Sequence, residues 1–249
     1  MTVARATKQP STRPSLRVER QLQRDGYPVL VGMDEVGRGA LAGPVSVGVV
    51  AIDLMSRSAP RGVKDSKLLS SAVRTSMVPA IKSWALSFGV GHASPAEIDQ
   101  WGIMTGLRLA GERALKACGL TPDVVLLDGN YDWLTAPDRV GLFGLADLAE
   151  SGSEGTASGP ERMAAPPPVR TMIKADMRCS SVAAASVLAK VERDAEMVRL
   201  HEAHPCYQWK INKGYAAPDH VQALREQGTC EHHRRSWNLT RTTLEVSRT

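Results

Sequence analysis

Residues 29–53 read VLVGMDEVGRGALAGPVSVGVVAID. Two β-branched, apolar runs flank a glycine turn. The turn holds Gly37-x-Gly39 with Ala42 three residues further on, which satisfies the spacing of a dinucleotide-binding loop. Such a loop must open a helix whose N-terminus receives the pyrophosphate. Here Pro44 and an alternating run to Ile52 follow, so the turn joins strand to strand and the nucleotide reading fails. The same reading leaves Asp34 and Glu35 unexplained. They close an apolar strand, where carboxylates are costly unless exposed or paired.

Working outward, further strands are expected within residues 84–94, 123–130 and 169–176. Ser70 or Ser71 caps a helix carrying Val73, Met77, Val78 and Ile81. Ser94-Pro95-Ala96-Glu97 is a helix start, and apolar residues at helical spacing between Ile103 and Cys118 mark a helix that Gly119 ends. Residues 180–200 predict a long helix with Val187, Val191, Ala195 and Val198 on one side and Lys190, Arg193 and Asp194 on its surface. Residues 212–224 form a loop entering a helix near Pro218. Strands alternating with helices, plus an early hairpin, predict an α/β fold with a mixed sheet. Residues 1–26 are rich in Arg, Ser and Thr and read as a disordered basic tail. Residues 138–169, rich in Ser, Gly and Pro, read as a flexible insertion loop, and residues 238–249 as a C-terminal tail. The catalytic domain is thereby expected over 27–237.

At 249 residues with 43% hydrophobic side chains, the chain is long enough for one full core. The formal net charge of +5 suits a polyanionic partner without demanding one. Cys118, Cys179, Cys206 and Cys230 form no C-x-x-C pair and read as reduced thiols of a cytoplasmic protein. No apolar run reaches the ~20 residues of a membrane span.

Three acids fall at comparable places. Asp34 ends the first strand, Asp128 ends DVVLLD and Asp176 ends VRTMIKAD. Acids at the ends of neighbouring strands converge, and converged carboxylates repel one another unless a cation lies among them. Oxygen-only ligands suit Mg²⁺ or Mn²⁺, and a pair of such ions can hydrolyse a phosphodiester.

These residues resemble a known family. Residues 32–39, GMDEVGRG, followed by Ala42-Gly43-Pro44, are similar to the signature of bacterial ribonuclease HII, the type 2 ribonuclease H. The resemblance continues in order through Asp65-Ser66-Lys67, LDGN at 127–130, KAD at 174–176, AAASVLAKV at 183–191 with Arg193-Asp194, NKGY at 212–215 and HRRS at 233–236. It implies a ribonuclease H-like mixed sheet flanked by helices, with a C-terminal helical portion. It implies a metal-dependent endoribonuclease that cleaves RNA in RNA–DNA hybrids and at single ribonucleotides in duplex DNA. Cutting would fall 5′ of the ribonucleotide and leave 3′-hydroxyl and 5′-phosphate ends.

By the same resemblance, Asp34, Glu35, Asp128 and Asp176 are the catalytic carboxylates and ligands of two Mg²⁺ or Mn²⁺ ions. Gly37, Arg38 and Gly39 contact the ribonucleotide, main-chain groups reading its 2′-hydroxyl, and Tyr215 stacks near the following sugar. Lys67, Lys190 and Arg193 are expected to contact phosphate. Ser180 and Ser181 are expected to cap their helix, and Trp237 stands where the family often carries Phe. A monomer acting on nucleic acid, away from membranes, is implied.

Two rivals stand beside this reading: another metal-dependent nuclease of the same fold, and a hybrid-binding module without activity. A zinc alternative rests on His201-x-x-His204-Pro205-Cys206 with Cys230, His232 and His233 downstream. Its spacing fits no common finger.

Overall fold

The glycine turn joins two strands, as its flanking runs require. In the computed structural model, which describes residues 13–135 and 167–237 together with residue 239, β1 (Leu30–Val36) pairs antiparallel with β2 (Val45–Ile52). β2 pairs in turn with β3 (Ser87–Ala93). On its other side β1 runs parallel to β4 (Val124–Asp128), which runs parallel to β5 (Val169–Met172). The sheet order is β3-β2-β1-β4-β5, a mixed sheet of the predicted class. Because β1 and β4 are parallel neighbours, both finish at the same edge. Met33 lies opposite Leu127, which puts Asp34 and Asp128, one residue beyond each, side by side.

Period-two alternation divides the apolar residues between two helical layers. Val31, Met33, Val47, Val49, Val125 and Leu127 meet α3 (Pro95–Cys118) through Leu107, Ala110 and Ala114. Leu30, Val50, Ile52 and Val124 face the other way, onto α2 (Ser71–Trp84) and α4 (Ser180–Ala203). α4 lies close against the sheet because Gly32 and Gly48 have no side chain. A Cβ at Gly32 would strike the Ser181–Val182 backbone, and one at Gly48 the Ala185 carbonyl.

Residues 180–189 of α4 are buried all round, and further along the buried residues are Arg193, Asp194, Met197 and Leu200. The expected stripe through Ala195 and Val198 is corrected accordingly: Ala195 is exposed. Met197 and Leu200 join Tyr207, Trp209 and α5 (Pro218–Gln227) in a C-terminal cluster.

The two helical signals at 94–97 and 103–118 belong to one element. Ser94 and Glu97 form a capping box at its start, the helix breaks at Gly102 (φ 77°), and Gly119 ends it in the left-handed region. β5 stops at Met172, earlier than expected. Asp176 therefore lies in a one-turn 3-10 helix, Ala175–Met177, instead of closing the strand. Most of the insertion assigned to 138–169 lies outside the described residues. Its last residues belong to the sheet, since Val169 opens β5 and the Pro168 carbonyl accepts from Val125 N–H. The tail assigned to 238–249 lies outside the described residues except for Leu239, which is buried.

The reading of residues 1–26 as a tail is corrected for the part the structure describes. Residues Arg17–Arg24 form α1. The Ser15 N–H bonds to the Arg178 carbonyl, and Val18 and Leu22 pack on Cys179 and Val182. The expected Ser caps of α4 are also replaced. Cys179 is the N-cap residue without a side-chain bond, and Ser181 lies inside the helix. Glu19 of α1 accepts from both the Ser181 N–H and its hydroxyl, each at 3.0 Å, capping α4 from another helix. Burial raises the Glu19 pKa above its ordinary value, against the pull of these bonds. Periodicity missed α1 because so short a polar segment is marginal alone and is held by its docking.

Two outcomes follow for stability. Glu19→Ala should cost about 1–3 kcal/mol in urea unfolding, since two buried donors lose their acceptor. Glu19→Gln, which keeps an acceptor and removes the desolvated charge, should cost clearly less; equal losses would refute the capping role. The second concerns pH. Arg113 holds Glu97 down to about 2, from 4.5, through a hydrogen-bonded ion pair. The unfolded chain binds this proton first as pH falls, so the stability from the pair is present above 4.5 and drains away toward 2. Glu97→Gln should flatten the acid limb of the stability curve in that window and nowhere else.

Candidate active site

The register of β1 and β4 brings two acids together, and the chain adds the others. Asp34, 4% exposed, and Glu35 lie in the last three residues of β1, just past its pairing with β4. The Asp128 carboxylate accepts from the Ala175 N–H at 2.6 Å, which ties the Asp176 turn to the end of β4. The four acids feel one another. Burial raises the Asp34 pKa well above the ordinary aspartate value, and Glu35, Asp128 and Asp176 raise it further, against a hydrogen bond from Ser186. Burial likewise raises Glu35, partly opposed by Arg38, whose Nη1 lies 3.8 Å from it. Asp176 is pushed up to about 6 by burial, then by Asp128 and Asp65. All four predicted acids thus share one site at the end of the sheet.

Lys67 stands beside them. Burial alone would lower its pKa, but Asp34, Asp65, Asp176 and Asp128 together raise it. One lysine cannot neutralise such a cluster. The donors are oxygens only, which fits hard divalent ions and disfavours zinc. Two further members of the site stand in stretches quoted for the resemblance but carried no assigned role. Asp65 is buried, and its carboxylate accepts from the Lys67 N–H at 2.9 Å. By sequence it is an ordinary turn acid. Ser186 donates to Asp34 from α4 and its hydroxyl oxygen pairs with the Ser66 hydroxyl at 2.8 Å; it stands in the 183–191 stretch but carried no assigned role.

The glycine loop is held from behind by two buried guanidinium groups. Arg193 donates from Nε to the Pro44 carbonyl (2.8 Å), from Nη1 to Lys213 (3.0 Å) and from Nη2 to Ala42 (3.2 Å). Arg234 donates to the carbonyls of Gly37 (2.6 Å), Arg38 (2.8 Å) and Gly43 (3.1 Å). Burial, then Arg193, lowers the Arg234 pKa to about 9. Arg193 was expected on the surface as a phosphate contact. It is instead fully buried and its donors are taken by main-chain carbonyls, so it shapes the loop. Arg234, the missed member of the pair, was part of the HRRS stretch but carried no assigned role.

With these carbonyls drawn inward, Arg38 and Gly39 are exposed on the outer side. The Gly214 carbonyl accepts from Leu41 N–H (2.8 Å) and Ala42 N–H (3.2 Å), which docks the loop carrying Tyr215 against the glycine loop. The Tyr215 ring is half-buried, with Arg193 5.4 Å and Lys190 Nζ 5.9 Å from its centre. Lys190 is ion-paired with Asp194 at 2.6 Å, and Arg74 reaches the same carboxylate at 3.4 Å. Trp237 packs on the α3 face of the core and under Arg234, 4.8 Å away.

The fold and the site together define a hydrolase of the ribonuclease H-like fold, with a carboxylate centre beside a glycine loop. Comparison with known proteins is specific. The family model described as Ribonuclease HII matches residues 31–240. Ribonuclease HII of Streptomyces coelicolor is 42% identical over 225 residues, covering 90% of this chain and 83% of the relative. That of Salinibacter ruber is 40% identical over 223 residues, covering 90% and 98%. Among solved structures, the ribonuclease H2 of Pyrococcus horikoshii OT3 aligns with a TM-score of 0.63 at 26% identity, covering 89% of this chain and 99% of that one. The chain belongs to the ribonuclease HII family and is a ribonuclease H type 2 hydrolase.

Gly37 and Gly39 differ in what they demand. Gly37 has φ 82°, and a Cβ there would overlap Arg193 Nε; a methyl on Gly39 meets nothing within 4 Å. Gly37→Ala should therefore destabilise the protein by about 1–3 kcal/mol, and Gly39→Ala should leave the thermal midpoint unchanged. Equal midpoints for the two variants would show that the Arg193 contact does not constrain the loop.

Proposed function

We propose that this protein cuts RNA–DNA hybrids, and duplex DNA at a single embedded ribonucleotide, on the 5′ side of the ribonucleotide. The products carry 3′-hydroxyl and 5′-phosphate ends. The observation that carries the reading is the four-carboxylate cluster beside a glycine loop whose carbonyls are turned inward. Asp34, Glu35, Asp128 and Asp176 would hold two Mg²⁺ or Mn²⁺ ions. When bound, these ions supply water activation and charge stabilisation at the leaving 3′ oxygen.

The protein's own groups orient the substrate. Gly37, Arg38 and Gly39 present a surface that a sugar can approach closely, so main-chain groups can test for the 2′-hydroxyl, the one group that separates RNA from DNA. Tyr215, braced by Arg193 and Lys190, offers a ring for the sugar after the ribonucleotide. Lys67, exposed at the rim of the acids, would contact the phosphate. Lys190, paired with Asp194 and with Arg74 and Lys213 nearby, would add a second phosphate contact. Arg193 acts only through the loop it holds. Ser186 and Asp65 orient Asp34 and Lys67.

We further infer a cytoplasmic monomer that removes ribonucleotides left in DNA during replication and repair. Among the described residues, no helix is long and apolar enough to cross a membrane.

The test uses matched duplexes with and without one ribonucleotide, in Mg²⁺ and in Mn²⁺, with the cut mapped at nucleotide resolution. Asp34→Asn and Asp128→Asn should each reduce cleavage by at least about a thousandfold, roughly 4 kcal/mol of barrier, while hybrid binding persists. Cutting of the all-DNA duplex would favour a general nuclease of this fold. Binding without cutting by the wild type would make the protein a hybrid-binding module.

A further inference from the structure

Some residues of the zinc alternative converge away from the carboxylate centre. α4 ends at His204, where Pro205 follows and the helix stops. Beyond α5, Gly228 (φ 72°) turns the chain back, and residues 230–233 form a tight turn in which the His233 N–H bonds to the Cys230 carbonyl at 3.1 Å. This turn meets the end of α4. One donor atom each from His204, Cys230 and Glu231 lie within 4.8 Å of one another. The Nε2 atoms of His204 and His232 both stand 3.6 Å from the same Glu231 oxygen, and the two imidazoles meet edge to face, 5.2 Å apart.

The donor set is one thiol, two imidazoles and one carboxylate. Such mixed sulfur, nitrogen and oxygen donors match a borderline-soft, four-coordinate ion and differ from the all-oxygen active centre. Around a tetrahedral zinc the donors would be about 3.3–3.7 Å apart. The Nε2 atoms of His204 and His232 already stand at about that spacing from the Glu231 oxygen, and the Cys230 donor lies within 4.8 Å of those of His204 and Glu231, whose side chain is 69% exposed. Tyr207, Trp209 and His233 form an aromatic wall behind the turn. The His233 Nδ1 accepts from the Cys230 N–H at 3.0 Å and so fixes the backbone that presents the thiol.

We propose that His204, Cys230, Glu231 and His232 bind one zinc-class divalent ion, a site separate from the catalytic carboxylates. On binding, the Cys230 thiol releases its proton and the thiolate coordinates the metal. The site is a staple. The His232 carbonyl accepts from the Gly43 N–H (2.8 Å), and the Arg234 N–H bonds to the Leu41 carbonyl (3.0 Å). Metal at the turn would therefore tie the end of α4 to the backbone that pairs with the glycine loop.

The test uses the full, tag-free chain carrying Asp34→Asn and Asp128→Asn, which weakens ion binding at the catalytic centre, with Cys206→Ser to remove the nearby exposed thiol. After chelator treatment it is titrated with Zn²⁺ alone, and separately with Co²⁺ under reducing conditions. The expected result is one tightly bound Zn²⁺ per chain, a thiolate-to-cobalt charge-transfer band, and a higher thermal midpoint with zinc. Cys230→Ser should abolish the band. His204→Ala should weaken zinc binding by at least roughly 10- to 100-fold, the range that even indirect partners of metal ligands command. Glu231→Gln, on an exposed side chain, tests the site without risk to folding and should also weaken zinc. Absence of stoichiometric zinc binding, or zinc affinity unchanged in Glu231→Gln and His204→Ala, would overturn the proposal.

Discussion

Parallel strands that finish at one edge impose the constraint on which this molecule depends. β1 and β4 are neighbours and end together, so Asp34 and Asp128 cannot avoid each other. The Asp176 turn is tied to Asp128 through the Ala175 N–H, and Glu35 follows Asp34 in the chain. Burial and mutual repulsion then raise the pKa values of Asp34, Glu35 and Asp176. A fold that stores unfavourable charge in this way is stabilised by cations, so the proposed affinity for hard ions and the electrostatic strain would have the same origin.

The glycine loop shows the opposite electrostatic arrangement. Arg193 and Arg234 are both buried, and their hydrogen-bond acceptors are main-chain carbonyls of the loop and of its neighbour, the Lys213 turn. Guanidinium suits this role because its planar fork of donors can satisfy several carbonyls in fixed directions. The loop is therefore rigid on its inner side while Arg38 and Gly39 lie on its outer side. Close packing of α4 on Gly32 and Gly48 completes the frame, since the same helix brings Ser186 to Asp34 and Arg193 to the loop.

Much of this was legible in the chain. Alternating apolar residues after Pro44 excluded a nucleotide loop, because a strand cannot offer the helix N-terminus that a pyrophosphate needs. Strand-end acids pointed to a shared carboxylate site for the same reason: in-register neighbours end together. The misreadings have equally physical causes. Arg193 looks like a surface charge in a helix, and only the packing of the glycine loop and the Lys213 turn around it makes it a buried donor. Residues 17–24 look like tail because eight residues, six of them polar, do not form a stable helix alone; Glu19 becomes a helix cap only when Ser181 is already in place.

Sequence by itself determined the strand–turn–strand unit, the capping of α3, the acid positions and the family, because these depend on residue type at short, regular spacing. Tertiary structure alone decided which charges are buried, which serine touches Asp34, and which histidines and cysteine meet beyond α4. Those outcomes depend on contacts between residues far apart in the chain. Local pattern carries no information about such contacts until the sheet and α4 have packed.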